Sequence, residues 1–366
     1  MFVLEAFIKK NTVLAVAVLL ALLSMFFVPP DVEYLGYMNA HVLTILFVLM
    51  ASVSGFSAAG LFSKLSAAMS RRTGSPKRLA LLLVLLCFFS AAIITNDVAL
   101  ITFVPLTLGL FCGGRRAIPA VVMETVAANL GSLLTPIGNP QNLYLFSHYE
   151  LGLGEFFGAV WPLGLLSLLL CMGLTWLLVP GGEPLEGNDP EKLCAAPFAL
   201  CRYGLLFLVG LLCVLKLLSW PLCLGLCLVI MLVFDRYLFR TVDYSLLLSF
   251  VAFFILVGNL GRIPAVRELV RSLVAGQELL AGALISQAIS NVPAATMLAG
   301  FTNDWRALLL GVNIGGLGTP IASMASLISL RLYGMSHDAQ SGRYLALFSA
   351  VNFGLLALLL GLSFLF

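Results

Sequence analysis

The sequence predicts an all-α polytopic membrane protein made of two inverted repeats, each with a re-entrant hairpin and a broken transmembrane helix. Three observations carry this reading. The 366 residues are 61% hydrophobic and only 10% charged, against about 25% charged in a soluble domain. The apolar stretches are long and continuous rather than alternating, which excludes a barrel. Finally, one polar segment rich in glycine and proline occurs twice.

Too few charges are present to cover a water-facing surface, so lipid is the solvent and the backbone must satisfy itself in helices. With about 20 apolar residues per crossing, spans fall near 12–28, 40–60, 117–147, 156–179, 199–219, 220–235, 243–260, 305–330 and 343–366. Lys9 and Lys10 before an apolar run imitate a signal peptide, but no small-residue cleavage pattern precedes Pro29 and Pro30. The run reads as the first span. Two further apolar stretches, 77–111 and 277–301, break at polar residues in their middles and read as re-entrant hairpins sheltered by protein.

Basic residues orient the chain. Lys9, Lys10, Lys64, Arg71, Arg72, Lys77, Arg78, Arg115 and Arg116 flank one set of loops, whereas 29–39 and 147–155 carry acids and no Lys or Arg. The expectation is a multi-pass protein of the plasma (inner) membrane with a cytoplasmic N-terminus and external loops at 29–39 and 147–155. Arg262, Arg267 and Arg271 fall on the external side, against the rule, with the spacing of an interfacial helix. The organisation expected is therefore an N-terminal span and external loop (1–39), a first repeat (40–179), a polar connection (180–198), linking spans (199–242) and a second repeat (243–366). The acidic run of the connection reads as a solvated loop.

The duplicated segment is Asn129-Leu-Gly-Ser-Leu-Leu-Thr-Pro-Ile137 and Asn313-Ile-Gly-Gly-Leu-Gly-Thr-Pro-Ile321, identical at six of nine positions. Upstream of each lies a tip of matching type, Ile94-Thr95-Asn96-Asp97 and Ile289-Ser290-Asn291-Val292. An odd number of crossings separates the halves, so they face opposite ways, as in secondary transporters. Pro136 and Pro320 cannot donate to a helix ladder and the nearby glycines loosen it. The freed carbonyls suit Na⁺ and the half-helix N-termini suit an anion. The substrate-binding set expected is Thr95, Asn96, Ser290, Asn291, Asn313, Thr319 and Pro320. The ion-binding set is Asn96, Asp97, Thr135, Pro136, Gly138 and Asn139. Ser132, Gln141, Asn142, Ser323 and Ser326 enlarge the polar cluster.

Asp97 and Glu124 are acids within apolar segments, where an ionisable group needs a partner. No Lys or Arg lies between Arg78 and Arg115, so Na⁺ or a proton would complete Asp97. The competing reading makes Asp97 a helix cap, and Glu124 lies nearer a span end, where an interfacial role is also open. The eight cysteines show no CxxC pair and no zinc spacing with His41, His148 or His337. They read as packing residues.

The tip Ile94-Thr-Asn-Asp97 together with Asn129-Leu-Gly-Ser-Leu-Leu-Thr-Pro-Ile-Gly-Asn-Pro-Gln-Asn142 resembles the ion transporter superfamily, over roughly residues 40 to 366. That group contains divalent anion:sodium symporters, arsenite permeases and a class of sodium/proton antiporters. In the symporters a Ser-Asn-Thr tip contacts substrate carboxylate and sodium; Thr95-Asn96 and Ser290-Asn291 match its first two positions. Asp97 and Val292 depart from the third, and the Asn-Asp pair looks more like the arsenite permeases. The resemblance implies a secondary transporter of a small anion coupled to Na⁺ or H⁺, with a sodium/proton antiporter or arsenite-type efflux permease as the alternative. A channel or scaffold subunit is the reading from another class. No HExxH, GxSxG or paired intramembrane Asp motif supports an enzyme. The partners expected are a small anion, a coupling cation and the lipid bilayer. A homodimer is admitted but not required, no cofactor is expected, and the small dispersed charge of +3 excludes nucleic acid.

Overall fold

The computed structural model describes residues 12–61, 75–111, 113–181, 197–336 and 338–363. Lys9, Lys10, Lys64, Arg71, Arg72, His337 and nearly all of the acidic connection lie outside the described residues. Most of the described chain is helical. The first half runs α1 (Thr12–Phe27), α2 (Glu33–Tyr37), α3 (Ala40–Ala58), α4 (Pro76–Ile94), α5 (Asn96–Leu110), α6 (Gly114–Gly131), α7 (Pro140–His148) and α8 (Leu153–Leu178). After α9 (Pro197–Val214) and α10 (Trp220–Val233) come α11 (Tyr244–Arg262), α12 (Pro264–Val274), α13 (Glu278–Ile289), α14 (Asn291–Ala299), α15 (Trp305–Ile314), α16 (Met324–Gly334) and α17 (Ser341–Ser363).

Burial is inside out relative to a soluble fold. Leu177, Leu169, Trp161 and Phe26 are exposed, while Asn139, Asn142, Asn313 and Asn352 are buried. Large apolar side chains on the outside and amides within fit a bundle whose solvent is hydrocarbon. Among the described residues five helices are long and apolar enough to cross a membrane: α4, α6 with its 3-10 extension to Leu134, α8, α11 and α17. The chain is an all-α polytopic membrane protein. One difference from expectation is α4. With 19 residues this hairpin arm measures about 28 Å, enough on its own to cross, so the break after it is set by Thr95 and not by shortage of apolar length.

Both hairpins close. Cys87 of α4 and Thr107 of α5 both meet Glu124 of α6, one through the glutamate's backbone carbonyl and the other through its carboxylate. In the second hairpin Thr302, just past α14, donates to Glu278 at the start of α13 at 3.0 Å. The broken helices then cross over. The Tyr333 hydroxyl, at the end of α16, donates to the Gly114 carbonyl beside the mouth of the first hairpin. Tyr149, at the end of α7, donates to the Ala299 and Thr302 carbonyls at the mouth of the second. Each broken helix therefore runs from the mouth of its own hairpin to the mouth of the other. The second arms are exchanged in the same way, α5 packing on α16 and α14 on α7. Outside this core α1 packs on α11, and α9 and α10 pack on α3.

Arg262 forms ion pairs with Asp31 at 2.7 Å and Glu33 at 3.4 Å. Its charge is matched by the acidic loop at 29–39.

The glycine of the duplicated segment has a packing cause. A Cβ at Gly131 would overlap the Phe88 carbonyl of α4, and one at Gly315 would stand 2.7 Å from the Ala283 Cα of α13. In both halves the broken helix touches backbone on the first arm of its own hairpin. Gly131→Ala and Gly315→Ala should each destabilise the protein by about 1–3 kcal/mol through overpacking, read as a lowered unfolding temperature in detergent. Gly173→Ala, where nothing lies within 4 Å, is the control.

Candidate functional site

The hairpin tips are single strained residues. Thr95 has φ 83° and ψ 149°, and Ser290 has φ 77° and ψ 153°. This region is nearly restricted to glycine and costs about 1–3 kcal/mol for other residues. The same conformation on a hydroxyl residue in both halves turns the chain sharply, so that α5 and α14 start their N-termini inside the bundle at Asn96 and Asn291. Neither Thr95 nor Ser290 caps its helix with its side chain. The Asp97 carboxylate does not act as a cap either: its Oδ1 is buried and finds no partner among the described residues.

Each tip is fixed to the break of its own half by equivalent bonds. Thr135 Oγ1 donates to the Ala92 carbonyl, three residues before the first tip. Thr319 Oγ1 donates to the Gln287 carbonyl, three before the second, at 3.1 Å. The Asn96 amide N–H reaches the Gly138 carbonyl at 3.1 Å, and Ser290 Oγ reaches the Ala322 carbonyl at 3.3 Å. The break at Pro136 comes after a 3-10 turn, Ser132–Leu134, and α7 restarts with Asn139 as N-cap accepting from the Asn142 amide. At Pro320 the order is reversed, the 3-10 turn Pro320–Ala322 following the unwound Gly315–Thr319 stretch.

The two breaks are joined by an exchange of asparagines. Asn129 accepts from Ser323 Oγ at 2.8 Å and donates to Ser326 Oγ at 3.2 Å. Asn313 accepts from Asn139 Nδ2 at 3.0 Å and donates to Asn142 Oδ1 at 2.7 Å. Ser323 and Ser326 lie ten and thirteen residues after Asn313, and Asn139 and Asn142 lie ten and thirteen after Asn129. Each motif asparagine thus holds the register-matched pair of the other half. Asn96 Nδ2 joins at 3.4 Å from Asn129 Oδ1. A Cβ at Gly316 would stand 2.8 Å from Asn291 Nδ2, so that glycine makes room for the second tip.

The result is one buried cluster containing Asn96, Asn129, Asn139, Asn142, Asn291 and Asn313, all 5% exposed or less. It holds amides, hydroxyls and unwound backbone and, among the described residues, no Lys, Arg or His. Among the described residues no group of three or more His, Cys, Asp or Glu could hold a metal. A ligand here would be held by neutral donors and acceptors in a low-dielectric setting, where each is stronger than in water.

The structure brings together Thr95, Asn96, Thr135, Gly138, Asn139, Ser290, Asn291, Asn313 and Thr319, with Pro136 and Pro320 in the adjoining turns. Asp97 adjoins the tip but makes no side-chain bond to the 135–139 loop. Glu124 is not interfacial, as one sequence reading had it: it is fully buried within α6. Gln287 was missed. Its Nε2 donates to the Gly315 and Leu317 carbonyls, and its Oε1 accepts the Thr319 amide at 2.9 Å, so it satisfies most of the second break. A glutamine in an apolar arm three residues before a tip was the available signal. Tyr149 and Tyr333 were also missed, although they share the register of the duplication, twenty residues past Asn129 and Asn313.

Paired hairpins meeting paired helix breaks in one buried polar cluster define a membrane transporter. The model of the citrate transporter family matches residues 1–303, and the chain belongs to that family, part of the ion transporter superfamily. It is 36% identical over 275 residues to an "uncharacterized transporter" of Methanocaldococcus jannaschii, covering 74% of each chain. It is 32% identical over 321 residues to the inner membrane protein YbiR of Escherichia coli, covering 84% of each. A silicon efflux transporter of Oryza sativa matches at 27% over 161 residues, 42% of this chain and 32% of that one.

Proposed function

We propose that this chain is a secondary active transporter of a small oxyanion, with a carboxylate of the citrate class as the first candidate, coupled to Na⁺ or H⁺. The observation that carries the reading is the joining of both hairpin tips and both helix breaks in one buried cluster, with the hairpin mouths at opposite ends of the broken helices. Such a site can be reached alternately from either side. On this reading the halves are inverted repeats and the N-terminus is cytoplasmic. Thr95, Asn96, Ser290, Asn291, Asn313, Thr319 and Pro320 contact substrate. Asn96, Asp97, Thr135, Pro136, Gly138 and Asn139 surround the coupling ion.

A neutral oxyacid is the second reading. It is favoured by the absence of any cationic side chain from the cluster among the described residues and by the likeness to a silicon efflux transporter. Transport assays in proteoliposomes separate the two, using labelled citrate, arsenite and silicic acid under imposed Na⁺ or pH gradients. The expected result is accumulation of one of these above its equilibrium level, abolished by an ionophore. Flux only down the solute gradient would overturn active, ion-coupled transport.

A further inference from the structure

Glu124 is fully buried on α6, five residues and about 7.5 Å along the axis before Asn129. Its Oε1 is hydrogen-bonded to Thr107 Oγ1 of α5, and its Oε2 has no partner among the described residues. The titratable groups brought near it are Cys87 from α4, whose Sγ donates to the Glu124 carbonyl at 3.4 Å, and Tyr344 from α17, with Cys171 of α8 beside Cys87. From α16 come Ser329, bonded to the adjacent Thr125 at 2.6 Å, and Tyr333, stacked on Tyr344. Arg331 of α16 and Arg343 of α17 are exposed. Arg306, at the start of α15, belongs to the opposite end of the bundle, and Asp97 is at the far end of α5. Among the described residues no cation pairs with the carboxyl.

We propose that Glu124 is a proton-binding site of the transport cycle, separate from the central cluster and present in the first half alone. This rests on the transporter reading above. The occupant follows from the donor set. A hard cation takes about six oxygens, and among the described residues only Thr107 Oγ1 is bonded to the carboxyl. A proton needs one. With the proton on Oε1 the acid donates to Thr107, leaving a bare carbonyl oxygen at Oε2. Without the proton, the same oxygen is half of an unpaired buried charge, a far costlier state. Loss of the proton therefore requires the packing around α5, α6 and α17 to open to water, which ties protonation to conformation. The register-matched residue of the other half is Leu308, also buried, so the proton is taken up on one side of the duplication only.

The test is infrared difference spectroscopy of the reconstituted full chain between alkaline and acidic buffer. The wild type should show the C=O stretch of a newly protonated carboxyl. Glu124→Gln, which keeps size and the bond to Thr107, should lose that band. Glu124→Asp should retain one, and Thr107→Val should displace it. In parallel, citrate uptake driven by a pH gradient should fall at least tenfold in Glu124→Gln, with its pH profile flattened. Identical difference spectra in the wild type and Glu124→Gln overturn the proposal, as does an unchanged pH profile of uptake. The infrared arm needs no solute, so a wild type that moves none of the tested solutes overturns the proposed substrate classes while the spectra still decide whether Glu124 binds the proton.

Discussion

Asn313→Ala should reduce uptake at least a hundredfold and lower the unfolding temperature as well. The substitution strands one N–H of Asn139 Nδ2 and the Asn142 Oδ1 in an interior with little water, and each unsatisfied group costs about 1–3 kcal/mol. Asn139 keeps a bond to Ser132 Oγ at 3.0 Å, so the chain should still fold in detergent while the exchange between the two breaks is lost. Asn129→Ala should behave alike, through Ser323 and Ser326. A double-mutant cycle of Asn139→Ala with Asn313→Ala should give a coupling of about 0.5–3 kcal/mol, whereas Asn139→Ala with Asn129→Ala should be closer to additive. Normal uptake by both single asparagine variants would remove the cluster as the transport site.

Asp97→Asn should separate solute movement from the ion gradient. The carboxylate sits on the first turn of α5, with Oδ1 buried and unpartnered, and its register partner at the other tip is Val292. One tip can therefore hold a cation by charge and the other cannot. In proteoliposomes the variant should fail to concentrate solute under a Na⁺ or pH gradient, leaving at most exchange or downhill flux. A variant that concentrates solute with unchanged Na⁺ and pH dependence would place the coupling ion elsewhere.

Much of this arrangement was legible because duplication makes a weak signal strong. Asn129 and Asn313, with their trailing Gly, Thr and Pro, could each be a kink; together at one spacing they define matching breaks. The hairpins were legible because Thr95-Asn96 and Ser290-Asn291 interrupt otherwise apolar runs. What the chain does not spell out is which surfaces meet. Arg262 looked misplaced until Asp31 and Glu33 were seen beside it. Glu124 could be read as interfacial because helical sequence does not reveal that α4, α5, α8, α16 and α17 enclose α6. The strain at Thr95 and Ser290 was invisible for a related reason: neither residue type prefers positive φ, and only the surrounding packing holds it there.

The crossed asparagine bonds also bear on how the protein is made. Asn129 and its partner Ser323 are 194 residues apart. A ribosome adding about 5–20 residues per second delivers the second about 10–40 s after the first. For that interval the first half is in the membrane with Asn129, Asn139 and Asn142 lacking their final partners. Those amides must be held by water, by one another or by the insertion machinery until the second half arrives. Biogenesis therefore ends in a docking step between two prefabricated halves, and the two halves expressed as separate chains should recover activity only when made together.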